Sequence, residues 1–165
     1  MLKQLQIKNY ALIDELDIEF SNNLSVITGE TGAGKSILLG ALGLILGKRA
    51  DVQTLQNKEN KCIIEGLFQI GEYQLNSFFD ANDLDYEIET TLRREISPSG
   101  KSRAFINDTP VNLGLLKEIK LFIQVTLGDE KQKSGLTLNN LHSFYNYCVN
   151  ELSLNIIGLM CLPPI

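Results

Sequence analysis

The stretch LSVITGETGAGKSILLGALGLILG, residues 24–47, decides how the rest of the chain is read. Its opening LSVIT is apolar and β-branched, as a strand buried on both faces should be. Its closing SILLGALGLILG is apolar at nearly every position and about three turns long, which predicts a buried helix. Between them Gly29, Glu30, Thr31, Gly32, Ala33, Gly34, Lys35 and Ser36 fit the spacing G-x-x-x-x-G-K-[ST] without a gap. Gly29, Gly32 and Gly34 carry no Cβ, so the loop can turn sharply and aim its N–H groups at an anion. The helix start adds its partial positive charge at the same place. Lys35 is then placed to reach the β- and γ-phosphates of a nucleotide, and the Ser36 hydroxyl to ligate Mg²⁺. A glycine-rich turn that merely lets a strand enter a helix is the bland alternative. It leaves the Lys-Ser pair and the ordered flanks unexplained.

Composition bounds the setting. The chain has 165 residues, room for one domain or a domain and a tail, and at 44% hydrophobic and 21% charged it can build a core. A formal net charge of −5 argues against a free-standing nucleic-acid binder, so any DNA contact needs a local basic patch or a partner chain. MLKQLQIKNY is not a signal peptide, and no apolar run reaches the length of a membrane span. Cys62, Cys148 and Cys161 are scattered without C-x-x-C spacing, and read as reduced thiols in a cytosolic protein.

Local patterns lay out the remaining elements. LKQLQIKNY (2–10) and ALIDELDIEF (11–20) alternate as paired strands, and Ser21, Asn22 and Asn23 make a turn into the phosphate-loop strand. GKRADVQTLQNKEN (47–60) is a polar loop, KCIIEGLFQI (61–70) a strand, and YQLNSFFDAN (73–82) a short helix. YEIETTLRREI (86–96) and KSRAFIND (101–108) form a hairpin turned by SPSG, and Asn112 caps a helix beginning LGLLKEI. The acidic run DANDLDYEIE (80–89) is a solvated turn and strand edge.

Three separated motifs now carry a resemblance: LKQLQIKNYALIDELDIEF, LSVITGETGAGKSILLGALGLILGKRAD and LRREISPSGKSRAFINDTPV. Together they resemble the RecN family of bacterial DNA repair ATPases, within the broader SMC and ABC-type group of head domains, over residues 1–119. The resemblance implies an α/β fold: the N-terminal half of a P-loop NTPase head with an antiparallel β lobe. It implies that IKNYALID lies near the nucleotide, that GKRAD follows the phosphate-loop helix, and that RREI and GKSRAFIN form the lobe's hairpin. Asp108 stands where many relatives have Gly, a change that a turn tolerates. ATP, Mg²⁺, DNA, the C-terminal half of the head and a second head are the implied cofactors and partners. The implied location is the bacterial cytoplasm, associated with the nucleoid in the intact protein.

After residue 119 the pattern departs. The family continues into a Gln-containing loop, a coiled coil, a signature motif and a Walker B Asp-Glu; no LSGG-like segment and no sustained heptads follow here. From Ser134 onward Glu151 is the single Asp, Glu, Lys or Arg, with His142 beside it in composition. Residues 120–165 are therefore expected to be a diverged or non-native tail of a truncated or frame-shifted product, with a genuine helix packed on the core as the alternative.

Lesser candidates fare less well. LFIQVTLGDE (121–130) has a Walker B outline in which Asp129 would hold Mg²⁺ through water and Glu130 would activate the attacking water. Gln124, Thr126 and Gly128 interrupt that outline, so two solvated acids are the stronger reading. His142 stands alone. Arg93, Arg94, Lys101 and Arg103 make a basic hairpin that either meets phosphates or is simply its solvated face. Arg49 faces nucleotide or DNA in heads of this type. Three functions stay in view: the ATP-binding half of an SMC-like ATPase of double-strand break repair, incomplete alone; a self-contained small P-loop NTPase or kinase using Asp129 and Glu130; and a non-catalytic ATP-binding fragment.

Overall fold

In the computed structural model, residues 1–21, 32–71, 73–118, 121–124, 136–151 and 156–160 are described. The order is β1 (Leu2–Tyr10), β2 (Ile13–Glu19), α1 (Gly32–Ile45), β3 (Cys62–Gln69), α2 (Asn76–Ala81), β4 (Glu89–Ile96), β5 (Ser102–Ile106), β6 (Thr109–Val111) and α3 (Leu113–Glu118), followed by β7 (Leu121–Gln124), α4 (Leu138–Asn146) and β8 (Ile156–Met160). The proposed phosphate-loop strand, residues 24–28, lies outside the described residues.

Six strands form one antiparallel sheet in the order β2-β1-β3-β4-β5-β6. Strand alternation sends every second side chain to one face, and here that face is apolar. One row across the sheet is Leu5, Gly66, Leu92 and Ile106; the next is Ile7, Ile64, Arg94 and Ala104. Leu5, Ile7, Cys62, Ile64 and Ile96 are fully buried. Each such aliphatic side chain contributes about 1.5–3 kcal/mol on leaving water. The opposite face carries Gln4, Gln6 and Asp17, joined by amide-to-carboxylate hydrogen bonds of 2.8 and 3.0 Å.

Helix α1 supplies the cover, packing on β3 and β4. Leu38, Ala41, Leu44 and Ile45 are its buried residues, spaced at three and four as a helix stripe requires. Ile45 seats over Gly66, where a Cβ would lie 2.7 Å from its Cδ1. The helix ends in a Schellman motif: Gly47 N–H donates to Leu44 O (3.2 Å) and Lys48 N–H to Gly43 O (2.8 Å). Gly47 takes φ +96° there and is packed against Lys117 and Leu116 of α3. Asn112 caps α3 as expected, its Oδ1 accepting from Leu115 N–H at 2.9 Å.

The 4–5 hairpin is where residues 86–108 predict it, with Ser97 N–H donating to Lys101 O (2.8 Å) across the turn. One strand more than expected follows: Asn107, at φ +52°, turns the chain into β6. Beyond α3, β7 and β8 pair in parallel as a separate two-stranded sheet, and α4 runs on into a π turn, Tyr147–Glu151. Lys48 Nζ donates to the Glu151 carbonyl at 2.8 Å, joining that turn to the end of α1. Among the described residues, no helix is long and apolar enough to cross a membrane.

Two outcomes are expected. Gly47→Ala forces a Cβ into a left-handed conformation against Leu116 and Lys117, and should lower the urea unfolding free energy by roughly 1–2 kcal/mol. Burial pushes the Cys62 thiol from its ordinary 9.0 up to about 12. The unfolded thiol loses its proton first as pH rises, so stability is unaffected by Cys62 below pH 9.0 and falls between there and about 12. The slope is roughly 1.4 kcal/mol per pH unit at most, and Cys62→Ala should remove it. Peptide mapping after iodoacetamide treatment at pH 8 should find Cys62 unlabelled until denaturant is added.

Candidate nucleotide-phosphate site

Of the eight candidate loop residues, Gly29, Glu30 and Thr31 lie outside the described residues. Gly32, Ala33, Gly34, Lys35 and Ser36 form the start of α1. The first N–H groups of any helix have no partner within it, and they point out of its end. Gly34 and Ser36 are exposed, and among the described residues a Cβ at Gly34 would meet nothing within 4 Å. Among the described residues the start of α1 is thus uncrowded, with the helix dipole behind it, the setting that suits an incoming phosphate.

Neighbouring loops fix where α1 sits. Tyr10, at the end of β1, is buried with its hydroxyl against Gly40; a Cβ there would lie 2.6 Å from Oη. Only a glycine lets strand and helix come that close. Burial raises the Tyr10 phenol above its ordinary range. Before it, Asn9 adopts φ +55° and is buried; its Nδ2 donates to Asn57 O (3.0 Å) and Asn60 O (2.8 Å), and Asn57 N–H donates to its Oδ1 (2.6 Å). Ala11 N–H donates to Thr54 O at 2.6 Å, and Asp51 Oδ1 caps the 3-10 turn Val52–Thr54 by accepting from Gln53 N–H at 2.9 Å. The IKNYALID segment is therefore stitched to the loop that follows GKRAD, residues 54–60. Arg49 is exposed on this side.

The remaining candidates disperse. Asp129 and Glu130 lie outside the described residues, and Gln124 ends β7, its backbone paired with Met160. His142 is exposed on α4, with Nε2 3.1 Å from Asn146 Nδ2. Among the described residues, no group of three His, Cys, Asp or Glu side chains is arranged to hold a metal ion. Lys101 and Arg103 are exposed on the hairpin. Arg93 lies with its guanidinium 4.4 Å from the Phe105 ring centroid and 3.9 Å from Glu95, which also meets Lys61 at 3.4 Å. Acidic residues 83, 85, 87 and 89 are solvated, as expected.

Arg94 corrects the solvated-hairpin reading. It is 1% exposed on the apolar face, because successive strand residues point to opposite sides and Arg93 holds the outer one. The alternation Leu92, Arg94, Ile96 carried that signal in the sequence. The Tyr10 and Asn9 contacts had none, since Tyr10 meets a helix residue thirty positions on and Asn9 a loop 48 to 51 positions on.

With this geometry in place, kinship can be weighed. The family described as AAA domain matches residues 4–154. DNA repair protein RecN of Haemophilus influenzae is 43% identical over 127 residues, covering 74% of this chain and 23% of that protein. The chain thus spans less than a quarter of that relative's length. In fold it is similar to the recombination mediator protein RecF (TM-score 0.58, 18% identity, 79% of this chain and 32% of that one). The Smc head domain of Pyrococcus furiosus gives TM-score 0.58 at 19% identity, over 78% of this chain and 36% of that one. The fold is that of an α/β P-loop NTPase head with an antiparallel lobe, as the motifs implied, and the chain belongs to the AAA domain family, with RecN-type sequence over most of its length.

Proposed function

We propose that the chain is the ATP-binding half of an SMC-like ATPase head acting in recombinational repair of DNA double-strand breaks. The observation that carries the reading is the open first turn of α1 at the end of an ungapped G-x-x-x-x-G-K-[ST] segment. RecN-type sequence on either side supports ATP over other nucleotides, and DNA as the distant partner. In this reading the N–H groups of Gly29, Glu30, Thr31, Gly32, Ala33 and Gly34 cradle the phosphates, Lys35 neutralises the β- and γ-oxygens, and Ser36 Oγ ligates Mg²⁺. The exposed Gly34 and Ser36 fit that role. Bound Mg²⁺ would supply charge neutralisation on the nucleotide phosphates. Tyr10 and Asn9 act as positioning residues: Tyr10 packs on Gly40 midway along α1, and Asn9 holds the loop through Asn57 and Asn60.

Residues 1–119 form the half-head and 120–165 a diverged tail, joined to it through Lys48. Completion needs the C-terminal half of the head and a second head, in the bacterial cytoplasm near the nucleoid. The chain alone then grips nucleotide without turning it over.

Equilibrium binding of a fluorescent ATP analogue with Mg²⁺ tests this. The chain should bind it, and Lys35→Ala should weaken binding at least about tenfold, the loss of one charge-assisted contact. Steady-state ATP hydrolysis by the chain alone should be absent. Turnover that Lys35→Ala removes would overturn the half-head reading and make Asp129 and Glu130 the catalytic candidates.

A further inference from the structure

Arg94 holds a place in the sheet that apolar residues hold in the strands on either side. Ile7 and Ile64 precede it in its row and Ala104 follows; Leu92 and Ile96 flank it along β4. Its side chain is 1% exposed, and among the described residues nothing hydrogen-bonds to Nε, Nη1 or Nη2. Glu65 on β3 and Glu89 and Glu95 on β4, the carboxylates of those two strands, belong to the opposite face: Glu65 stands beside Arg93, Glu89 is exposed, and Glu95 meets Lys61 and Arg93. Burial draws the Arg94 pKa below the ordinary value, with no carboxylate acting against it.

A buried lysine or histidine escapes such a position by giving up its proton. A guanidinium does not, so the charge stays where charge is least welcome. Arg93 shows the contrast on the same strand, with an aromatic face and a carboxylate at hand. A single planar fork to which no hydroxyl is bonded among the described residues matches a carboxylate, whereas phosphate sites gather several donors. The site is also distinct from the phosphate loop. Gly40 meets Tyr10 and Ile45 meets Gly66, so the row of Arg94 lies beneath the later turns of α1, away from its open start.

We propose that Arg94 is the receiving half of a buried ion pair, and that its carboxylate is brought by the polypeptide that completes the head. The proposal rests on the half-head reading above, and on the chain spanning 23% of a RecN relative, which leaves ample polypeptide to supply the acid. An arginine has several rotatable bonds, so its fork swings to the rim of the sheet face while its stem stays among the aliphatic side chains. Pairing removes the penalty of the unmatched charge, and that relief favours docking.

The test sets two effects of opposite sign against each other. Arg94→Met should raise the Tm of the chain alone by about 3 °C or more, because an unpaired buried charge is replaced by an apolar side chain of similar reach. The same substitution should weaken association with Haemophilus influenzae RecN lacking its equivalent segment by about 30-fold or more, the effect of truncating one partner of a buried pair. Arg94→Lys, which keeps the charge but not the fork, should fall between. A lower Tm for Arg94→Met alone would show that the guanidinium already has its partner, and would overturn the proposal. Equal binding by wild type and Arg94→Met would also overturn it while leaving the half-head reading intact. Failure of wild type to bind at all would overturn both. The Arg94 Nε–H resonance should shift on adding that polypeptide; a shift with inorganic phosphate alone would reassign the site to an anion and end the carboxylate proposal.

Discussion

The contact between α1 and the apolar face of the six-stranded sheet is what the rest of the molecule depends on. Without a cover, the rows through Leu5 and Ile7 would expose their aliphatic side chains on a surface several strands wide. With it, the helix axis is fixed, and so is the direction in which its open end points. The two glycine contacts set the spacing, Gly66 under Ile45 and Gly40 under Tyr10, so the helix cannot slide along the sheet without a clash. A phosphate grip is only as well aimed as the helix that carries it. Here the aim comes from packing that lies well behind the loop.

Much of this was legible in the sequence because it is local. The strands of the lobe alternate with period two, and SPSG and Asn112 mark a turn and a helix cap by chemistry that acts within four residues. The glycine loop is read by the same local logic, from backbone freedom and two side chains, and its first three residues lie outside the described residues. What the sequence concealed is what depends on distant chain segments. Asn9 reads as an ordinary strand-end residue until the loop holding Asn57 and Asn60 folds back to it. Arg94 was read by its charge when its position decided the matter: in a strand with Leu92 and Ile96 on the same side, parity outweighs polarity. The two-residue turn at Asn107 was hidden because a left-handed asparagine needs no glycine to announce it.

The tail carries a different lesson about resemblance. The motifs that carry the resemblance lie within residues 1–119, whereas the AAA domain family match runs to 154 and takes in β7 and α4. A family pattern can persist in fold where its chemical motifs no longer show, because packing constrains hydrophobic spacing more loosely than catalysis constrains individual side chains. The Lys48 contact to the Glu151 carbonyl links this segment to the end of α1. It asks only for a long cation at a helix end and a carbonyl within reach.

The parallel pairing of β7 with β8 bears on how the chain reaches this fold. Antiparallel neighbours such as β4, β5 and β6 are joined by tight turns, so little chain entropy is lost in closing each hairpin. A parallel pair has no such shortcut; Leu121 must find Ile156 after α4 and its π turn have been threaded between them. Contacts of that separation form slowly. The meander β4, β5 and β6 is thus the least costly part of the sheet to close, whereas pairing Leu5 with Gly66 spans more chain than pairing Leu121 with Ile156. During synthesis the whole six-stranded sheet can pair under α1 before β8 has been made, because all of its strands precede β7 in the chain.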